Sequence, residues 1–327
     1  METLVDAGHM AATRALPSVM TTAQARAFGV ARLLRDGSYI RAARGLWMVV
    51  GSDPADPGTR VLLAITAAPD DAVVGGWAAA RVHERRRLGR SEVPQFDGAW
   101  GSPDAPEPVL LLVPPETRLV ARPFRRVVRT PVAAAERERV DGIEVTTPLR
   151  TAFDLARLSP LPQAVAAIDR LRALRLVDPD QLAELLEERR HLTGAARGRR
   201  AVALSTDGVE SRQESAMRLL WCEAGLRPPT SNAVIRDARG GFVARVDVLD
   251  PDVGLVGEYD GAVHASAQQR SSDAARQQRL ERLGLVVVRA TAADLATRAA
   301  RAEWCRLLRD AHRRAVPRAS AGAWSAR

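Results

Sequence analysis

Two short β-prone stretches near the C-terminal end, Val243–Leu249 and Gly254–Asp260, stand on either side of the cluster Asp250-Pro251-Asp252. Their apolar positions are mostly valine and leucine, which favour extended backbone. Aspartate and proline side by side are typical of a tight turn. The pattern therefore predicts a β-hairpin with its turn at residues 250–252.

Three carboxylates, Asp247, Glu258 and Asp260, lie inside the predicted strands rather than in the turn. Side chains alternate faces along a strand, so Glu258 and Asp260 share a face, and Asp247 can oppose Glu258 from the partner strand. Neighbouring carboxylates repel each other unless a positive charge lies between them. Mg²⁺ with one or two protein carboxylates is a common solution, and such an ion activates water for displacement at phosphorus. The alternative is that these acids only solvate a sheet edge.

The residues around the hairpin predict further helices and strands. Glu210 and Glu214 stand four residues apart on one helical face. Arg270, Asp273 and Arg276 share a face of a later polar helix, which we expect to point toward DNA or the active site. The predicted elements are a helix over 211–224, a strand over 232–236, a helix over 266–284, a strand over 285–290 that ends near Arg289, and a helix over 292–315.

The segment from about Glu210 to Leu295 resembles the domain related to very-short-patch-repair endonucleases, a branch of the PD-(D/E)xK superfamily. The resemblance is carried, in this order, by ESRQESAMRLLWCEAGL, RVDV, VGEYDGAVH and DAARQQRLERLGLVVVRAT. It implies a mixed sheet flanked by helices and a phosphodiesterase site that uses Mg²⁺ or Mn²⁺. Glu214 would be the first-helix acid, and Asp247 and Glu258 the metal ligands. Asp260 replaces the usual lysine, and His264 would fill that role.

The N-terminal part predicts helix Ala23–Phe28, a break at Gly29, helix Val30–Arg35, and a hairpin around Arg44-Gly45. This order is the outline of a winged helix-turn-helix. TTAQARAFGVARLLRDGSYIRAARGLWMVV resembles the N-terminal domain of type IV, or abortive-infection, antitoxin-like proteins, in which the second helix is longer. The DNA-contacting side chains would be Arg32 and Arg35 on that helix and Arg44 on the wing. The alternative is a small packing or protein-interaction module.

The middle of the chain predicts a scaffold without a catalytic constellation. Its pattern is also similar to the middle region of the antitoxin-like family. The predicted elements are strands at 109–113, 126–130 and 143–147 and helices at 59–67, 75–84, 146–158, 161–176 and 179–188. The predicted domains are residues 1–52 (lead-in and winged helix-turn-helix), 53–205 (middle α/β scaffold with a basic helical linker), 206–316 (nuclease-like domain) and 317–327 (disordered tail).

Composition narrows the class of protein. The 327 residues are 46% hydrophobic with a net charge of +9, and all 48 basic residues are arginine. The arginine excess follows either from genomic composition or from phosphate contacts, to which guanidinium groups are suited. Two cysteines exclude a disulfide framework, and no apolar run has the length of a membrane helix. An N-terminus without a signal-peptide pattern indicates a cytoplasmic protein.

Together these patterns predict an α/β (α+β) fold and a metal-dependent DNA endonuclease. The alternative is a DNA-binding transcriptional regulator or antitoxin-like protein with an inactive nuclease fold, and a weaker one is an RNA-directed nuclease. The expected partners are DNA and a toxin or other protein, and no membrane. The candidate catalytic residues are Glu214, Asp247, Glu258, Asp260 and His264, with Asp247 and Glu258 as metal ligands, and the candidate nucleic-acid contacts are Arg32, Arg35, Arg44, Arg245, Arg270, Arg276 and Arg289.

Overall fold

The computed structural model describes residues 16–89, 91–100, 105–261, 267–315 and 323–326. It confirms the mixed α+β class, since the described part of the chain forms helices and three β-sheets. The chain divides into two compact units, Met1–Leu155 with Leu176–Leu185 and Ala156–Arg175 with Leu186–Arg327. The predicted domain boundaries at residues 52 and 205 stay predictions.

The N-terminal segment of the first unit forms a small three-stranded antiparallel sheet in the order β1-β3-β2. Thr21 caps the first helix because its hydroxyl accepts a hydrogen bond from the Gln24 N–H, and the Gln24 side chain accepts one from the Thr21 N–H. The elements are β1 (Val19–Thr21), α1 (Thr22–Ala27), a 3₁₀ turn (Ala31–Leu34), β2 (Tyr39–Ala43) and β3 (Leu46–Val49). The second predicted helix is therefore a single 3₁₀ turn, and strand β1 was not expected.

The rest of the first unit is built on a five-stranded sheet in the order β6-β5-β4-β8-β7, with β5/β6 and β4/β8 parallel. All five residues of β5 are buried, as its unbroken apolar sequence predicts for a central strand. The elements are α2 (Pro57–Ile65), β4 (Val73–Gly75), α3 (Gly76–Leu88), β5 (Val109–Val113), β6 (Arg125–Arg129), a 3₁₀ turn (Ala134–Glu136), β7 (Arg137–Val140), β8 (Ile143–Thr146) and α4 (Pro148–Leu158).

Three helices follow: α5 (Leu161–Ala173), α6 (Pro179–Glu188) and α7 (Ala195–Leu204). The arginine-rich stretch around Gly198 was expected as a basic linker, and it forms the regular helix α7. Gly198 is needed there because an added Cβ would lie 2.6 Å from Leu186 Cδ2. Helix α5 packs against α7 and against the next helix along the chain, Arg212–Glu223. All three helices belong to the second unit.

The second unit contains a five-stranded mixed sheet in the order β12-β11-β10-β9-β13, in which only β11 and β12 are parallel. One cluster of buried side chains is centred on Trp221 and Trp304, and another includes Leu280 and Leu285. The elements are α8 (Arg212–Glu223), β9 (Thr230–Asp237), β10 (Phe242–Asp250), β11 (Leu255–Asp260), α9 (Ala267–Arg282), β12 (Val286–Thr291), α10 (Ala292–Ala296), α11 (Arg298–Ala315) and β13 (Trp324–Ala326).

The expectation of a disordered tail over residues 317–327 is wrong at its end. Strand β13 pairs antiparallel with β9, with Trp324 opposite Asp237 and Ala326 opposite Ile235. Trp324 also packs against the cluster around Leu280. The physical reason is that β13 satisfies backbone groups at an edge strand that would otherwise remain unpaired. Residues 316–322 and 327 lie outside the described part.

Within the described residues, no helix combines the length and the apolar character that a membrane crossing requires.

Candidate carboxylate site and arginine surfaces

The predicted hairpin is confirmed, and its register places the candidate acids. Val248 pairs with Gly257, and continuing this register sets Asp247 opposite Glu258 on one face of the sheet. The Tyr259 N–H donates to Asp247 Oδ2 at 2.7 Å, which fixes the aspartate beside the end of the ladder. A Cβ at Gly257 would lie 2.6 Å from Val248 Cγ2, so glycine lets the strands pack closely next to Glu258.

The side chain of Glu258 is buried, with 9% of it exposed, and two arginines face it. Arg276 Nη2 lies 2.6 Å from Oε1, and Arg289 Nε lies 3.8 Å from Oε2. Burial raises the pKa of Glu258, and the charges of Arg276 and Arg289 oppose that rise. The short Arg276 contact lacks the angles of a hydrogen bond, so Oε1 accepts no hydrogen bond from any described residue.

The charge of Asp247 acts on two other acids, Glu214 and Glu258. Burial is the main reason that the pKa values of Glu214, Asp247 and Glu258 are raised. The charge of Asp247 raises the pKa of Glu214 and of Glu258 further, which places all three acids in one neighbourhood. Glu214 Oε2 accepts hydrogen bonds from the Glu210 N–H at 3.0 Å and from Asn232 Nδ2 at 3.3 Å.

An exposed ion pair flanks this acid cluster. Arg245 Nη1 and Nη2 donate to the two carboxylate oxygens of Glu210 at 2.7 and 2.6 Å. Arg276 Nη2 donates to the Arg245 carbonyl oxygen at 2.5 Å. Of the predicted nucleic-acid contacts, Arg245, Arg276 and Arg289 therefore all engage groups of the protein itself. The fourth predicted nucleic-acid contact in this unit, Arg270, has a side chain outside the described part.

The structure does not test the roles of two other predicted catalytic residues, Asp260 and His264. Asp260 is exposed at the end of β11, where it pairs in register with Thr291 of β12. His264 lies outside the described residues. The roles predicted for these two residues stay predictions.

In the first unit, Arg32, Arg35 and Arg44 are all exposed. Arg32 lies on the 3₁₀ turn, and its charge contributes to lowering the pKa of Asp36, after hydrogen bonds from Ser38. Arg44 stands next to Gly45 at the tip of the β2–β3 hairpin, where a φ of 74° favours glycine. Three guanidinium groups are thus presented to solvent by the turn and the wing.

The number and the chemistry of the acidic side chains determine whether they could hold a divalent cation. No group of three or more described His, Cys, Asp or Glu side chains is arranged as a metal cluster. Mg²⁺ commonly takes only one or two protein carboxylates, however, and Asp247 and Glu258 supply hard oxygen ligands. The buried Oε1 of Glu258 accepts no hydrogen bond from the described residues and already faces a cationic group, the Arg276 guanidinium at 2.6 Å. Asp247 and Glu258 would hold Mg²⁺ or Mn²⁺, which when bound would lower the pKa of a coordinated water.

A buried hydrogen-bond network between helices α5 and α8 was not predicted from the sequence. Asp169 on α5 is fully buried and accepts hydrogen bonds from the Thr206 N–H, Ser215 Oγ and Arg218 Nη2 at 2.7, 2.8 and 3.0 Å. This network ties α8, which carries Glu214, to α5. The available signal was an acid inside the apolar run AVAAIDRL, because a charge in such a position needs a buried partner.

Comparisons with known proteins give one family match and two relatives. A family model described as "AbiEi antitoxin C-terminal domain" matches residues 105–204. Two proteins of Mycobacterium tuberculosis, from strains CDC 1551 / Oshkosh and ATCC 25618 / H37Rv and both named "Uncharacterized protein", are each 31% identical over 156 residues. Each alignment covers 47% of this chain and 57% of the relative, so the chain spans little more than half of these relatives' length. Similarity to antitoxin-like proteins is therefore confirmed for the middle region, and none of these matches bears on the resemblance to repair endonucleases.

Proposed function

We propose that this chain is an antitoxin-like DNA-binding protein that contacts DNA through the winged segment at residues 19–49. The observation that carries the proposal is the match of residues 105–204 to an antitoxin domain. The exposed guanidinium groups of Arg32, Arg35 and Arg44 support it, because they suit phosphate contacts. As an antitoxin-like protein it would act in the cytoplasm and would also bind a toxin or another protein.

The shape of the winged segment favours phosphate contacts over base recognition. A recognition helix reads bases from a surface of several turns in the major groove, whereas Ala31–Leu34 supplies a single 3₁₀ turn. Binding that rests on phosphate contacts depends steeply on salt, with the logarithm of affinity falling by about 0.9 per contact for each tenfold rise in salt. We therefore expect salt-sensitive binding with weak sequence preference.

The test compares two triple variants that each remove three positive charges. One is Arg32→Ala/Arg35→Ala/Arg44→Ala. The control is Arg306→Ala/Arg309→Ala/Arg313→Ala on helix α11, where Arg306 and Arg313 pair with Glu303 and Asp310. Fluorescence anisotropy with a labelled DNA duplex, at several salt concentrations, gives affinity and salt slope. In the winged-segment variant, the slope of log affinity against log salt should become shallower by up to about three phosphate contacts. The control variant should keep the wild-type slope. Equal losses in both variants would contradict the proposal.

A second candidate function is a Mg²⁺- or Mn²⁺-dependent endonuclease in the second unit. It is favoured by the strand register that sets Asp247 opposite Glu258, together with the effect of the Asp247 charge on the pKa values of Glu214 and Glu258. Asp247 and Glu258 would hold the ion, Glu214 would orient the site, and Asp260 or His264 would handle a proton.

This second function is tested by nicking of supercoiled DNA in Mg²⁺ or Mn²⁺. Asp247→Asn removes one ligand charge while keeping the side-chain volume. Asp252→Asn is the matched control, because Asp252 lies in the hairpin turn and pairs with Arg227 on the surface. Nicking that disappears only in Asp247→Asn supports the enzyme. Absent nicking by the wild type, or equal nicking by wild type and Asp247→Asn, rules it out.

A further inference from the structure

Arg276 lies against Glu258, one of the two candidate metal ligands. Its Nη2 lies 2.6 Å from Glu258 Oε1, a buried oxygen that accepts no hydrogen bond from the described residues. We propose that Arg276 is an internal counter-cation that competes with a divalent ion for Glu258. The inference rests on the second candidate function and names the residue that controls its site.

The position of Arg276 is set by a second contact. The same Nη2 donates to the carbonyl oxygen of Arg245 on β10 at 2.5 Å. Helix α9 is thereby joined to the strand that carries Asp247, with the guanidinium beside the acid cluster.

Competition follows from the charges around one buried oxygen. A divalent ion on Glu258 Oε1 would lie within a few ångströms of Arg276, and like charges at that distance repel strongly where water is scarce. The contact from Arg276 lacks hydrogen-bond geometry, so mainly charge attraction holds it there. With 30% of its side chain exposed, Arg276 also has solvent into which it can move. Cation binding and release of Arg276 are therefore linked.

Arg289 does not compete in the same way. Its Nε stands 3.8 Å from the other carboxylate oxygen, Oε2, and it lies on the neighbouring strand β12. It remains beside Glu258 when Arg276 is removed, so the carboxylate keeps one partner. This residual pairing favours an intact fold in a variant that lacks Arg276.

The experiment measures Mn²⁺ uptake by electron paramagnetic resonance of the free ion, on the full chain and without nucleic acid. Wild type is compared with Arg276→Ala, with the neutral but polar Arg276→Gln, and with the charge-conserving Arg276→Lys. Arg279→Ala is the matched control, because Arg279 is exposed on the same helix. Thermal unfolding of each variant reports whether it is folded, and Arg276→Gln serves if Arg276→Ala is not.

We expect Arg276→Ala and Arg276→Gln to bind Mn²⁺ about tenfold more tightly or better than wild type, since a nearby positive charge has been removed. Arg276→Lys and Arg279→Ala should stay close to wild type, and adding Asp247→Asn to either neutral variant should abolish the gain. Equal affinity of wild type and the neutral variants, including no uptake by any of them, overturns the proposal. So does a gain that survives Asp247→Asn. Because DNA is absent, the result is independent of DNA binding by the winged segment and of nicking.

Discussion

Replacing Asp169 by alanine should destabilise the second unit more than any surface change. Asp169 is fully buried and forms an ion pair with the buried Arg218, with Oδ2 and Nη2 3.0 Å apart. Burial raises the pKa of Asp169, although the charge of Arg218 opposes the rise. In Asp169→Ala, Arg218 keeps a hydrogen bond to the Leu204 carbonyl but loses its counter-charge. The Thr206 N–H and the Ser215 hydroxyl lose the same acceptor.

The magnitude follows from these losses. Removing one partner of a buried ion pair costs about 3–5 kcal/mol, and the orphaned donors share in that cost rather than adding fully to it. We expect a loss of about 4 kcal/mol in the free energy of unfolding, or a fall in Tm of roughly 8–16 °C for a unit of this size. Asp169→Asn should cost less, because its amide oxygen can still accept part of these hydrogen bonds, either the one at Oδ1 or the two at Oδ2.

The assay is urea denaturation, with hydrogen exchange of α8 peptides assigning the transition to the second unit. The double variant Asp169→Leu/Arg218→Met removes both charges and should cost clearly less than the two single changes together, because neither charge is left buried alone. A loss below about 1 kcal/mol in Asp169→Ala, or strict additivity in the double variant, would refute the role of this pair.

Three further predictions test other parts of the chain. His83 is buried and donates from Nε2 to the Thr146 carbonyl, and burial lowers its pKa. Its contribution to stability is therefore present above the ordinary imidazole pKa of about 6.5 and declines as the pH falls below it; His83→Gln should flatten this decline in thermal unfolding. Gly194→Ala should cost at least about 3 kcal/mol, since the φ is 86° and a Cβ would lie 2.1 Å from the Arg157 carbonyl, whereas the control Gly225→Ala, with a φ of 82° and open space, should cost only about 1 kcal/mol by urea denaturation. Trp324→Ala should speed hydrogen exchange in β9, because β13 loses its apolar anchor, and unchanged exchange would mean that the strand is held by its backbone alone.

Elements that depend on local chemistry were predictable from the sequence. The β10–β11 hairpin follows from two apolar stretches around Asp250-Pro251-Asp252, and its register follows from that turn. The strand Val109–Val113 was also predicted with the bounds that the structure has, and the helix predicted within 146–158 spans Pro148–Leu158. In each case the signal lies within a few residues of the element itself, as turn residues or an unbroken apolar run.

The missed features depend on partners that are distant in the sequence. Asp169 and Arg218 are separated by many residues, and only the packing of α5 on α8 brings them together. The partner of His83 is likewise distant in the sequence, because a carbonyl of β8 accepts its hydrogen bond in the interior. Strand β13 has three residues, too few for a recognisable pattern, and exists because β9 offers an edge. A sequence pattern carries no signal for such pairings.

The positive charge beside Glu258, from Arg276, also comes from a residue outside the local sequence motif. The nuclease superfamily that this segment resembles places a lysine two residues after the second acid, and this chain has Asp260 there, so measured against that resemblance a positive charge is missing from the sequence. The fold supplies one from helix α9, because Arg276 reaches the carboxylate from outside the motif. A guanidinium does not give up its proton in proteins, so Arg276 contributes charge but not proton transfer. If the second unit hydrolyses a phosphodiester with a metal ion on Glu258, the proton must therefore move through another group, because Arg276 neither transfers a proton nor stays beside Glu258 once the ion binds.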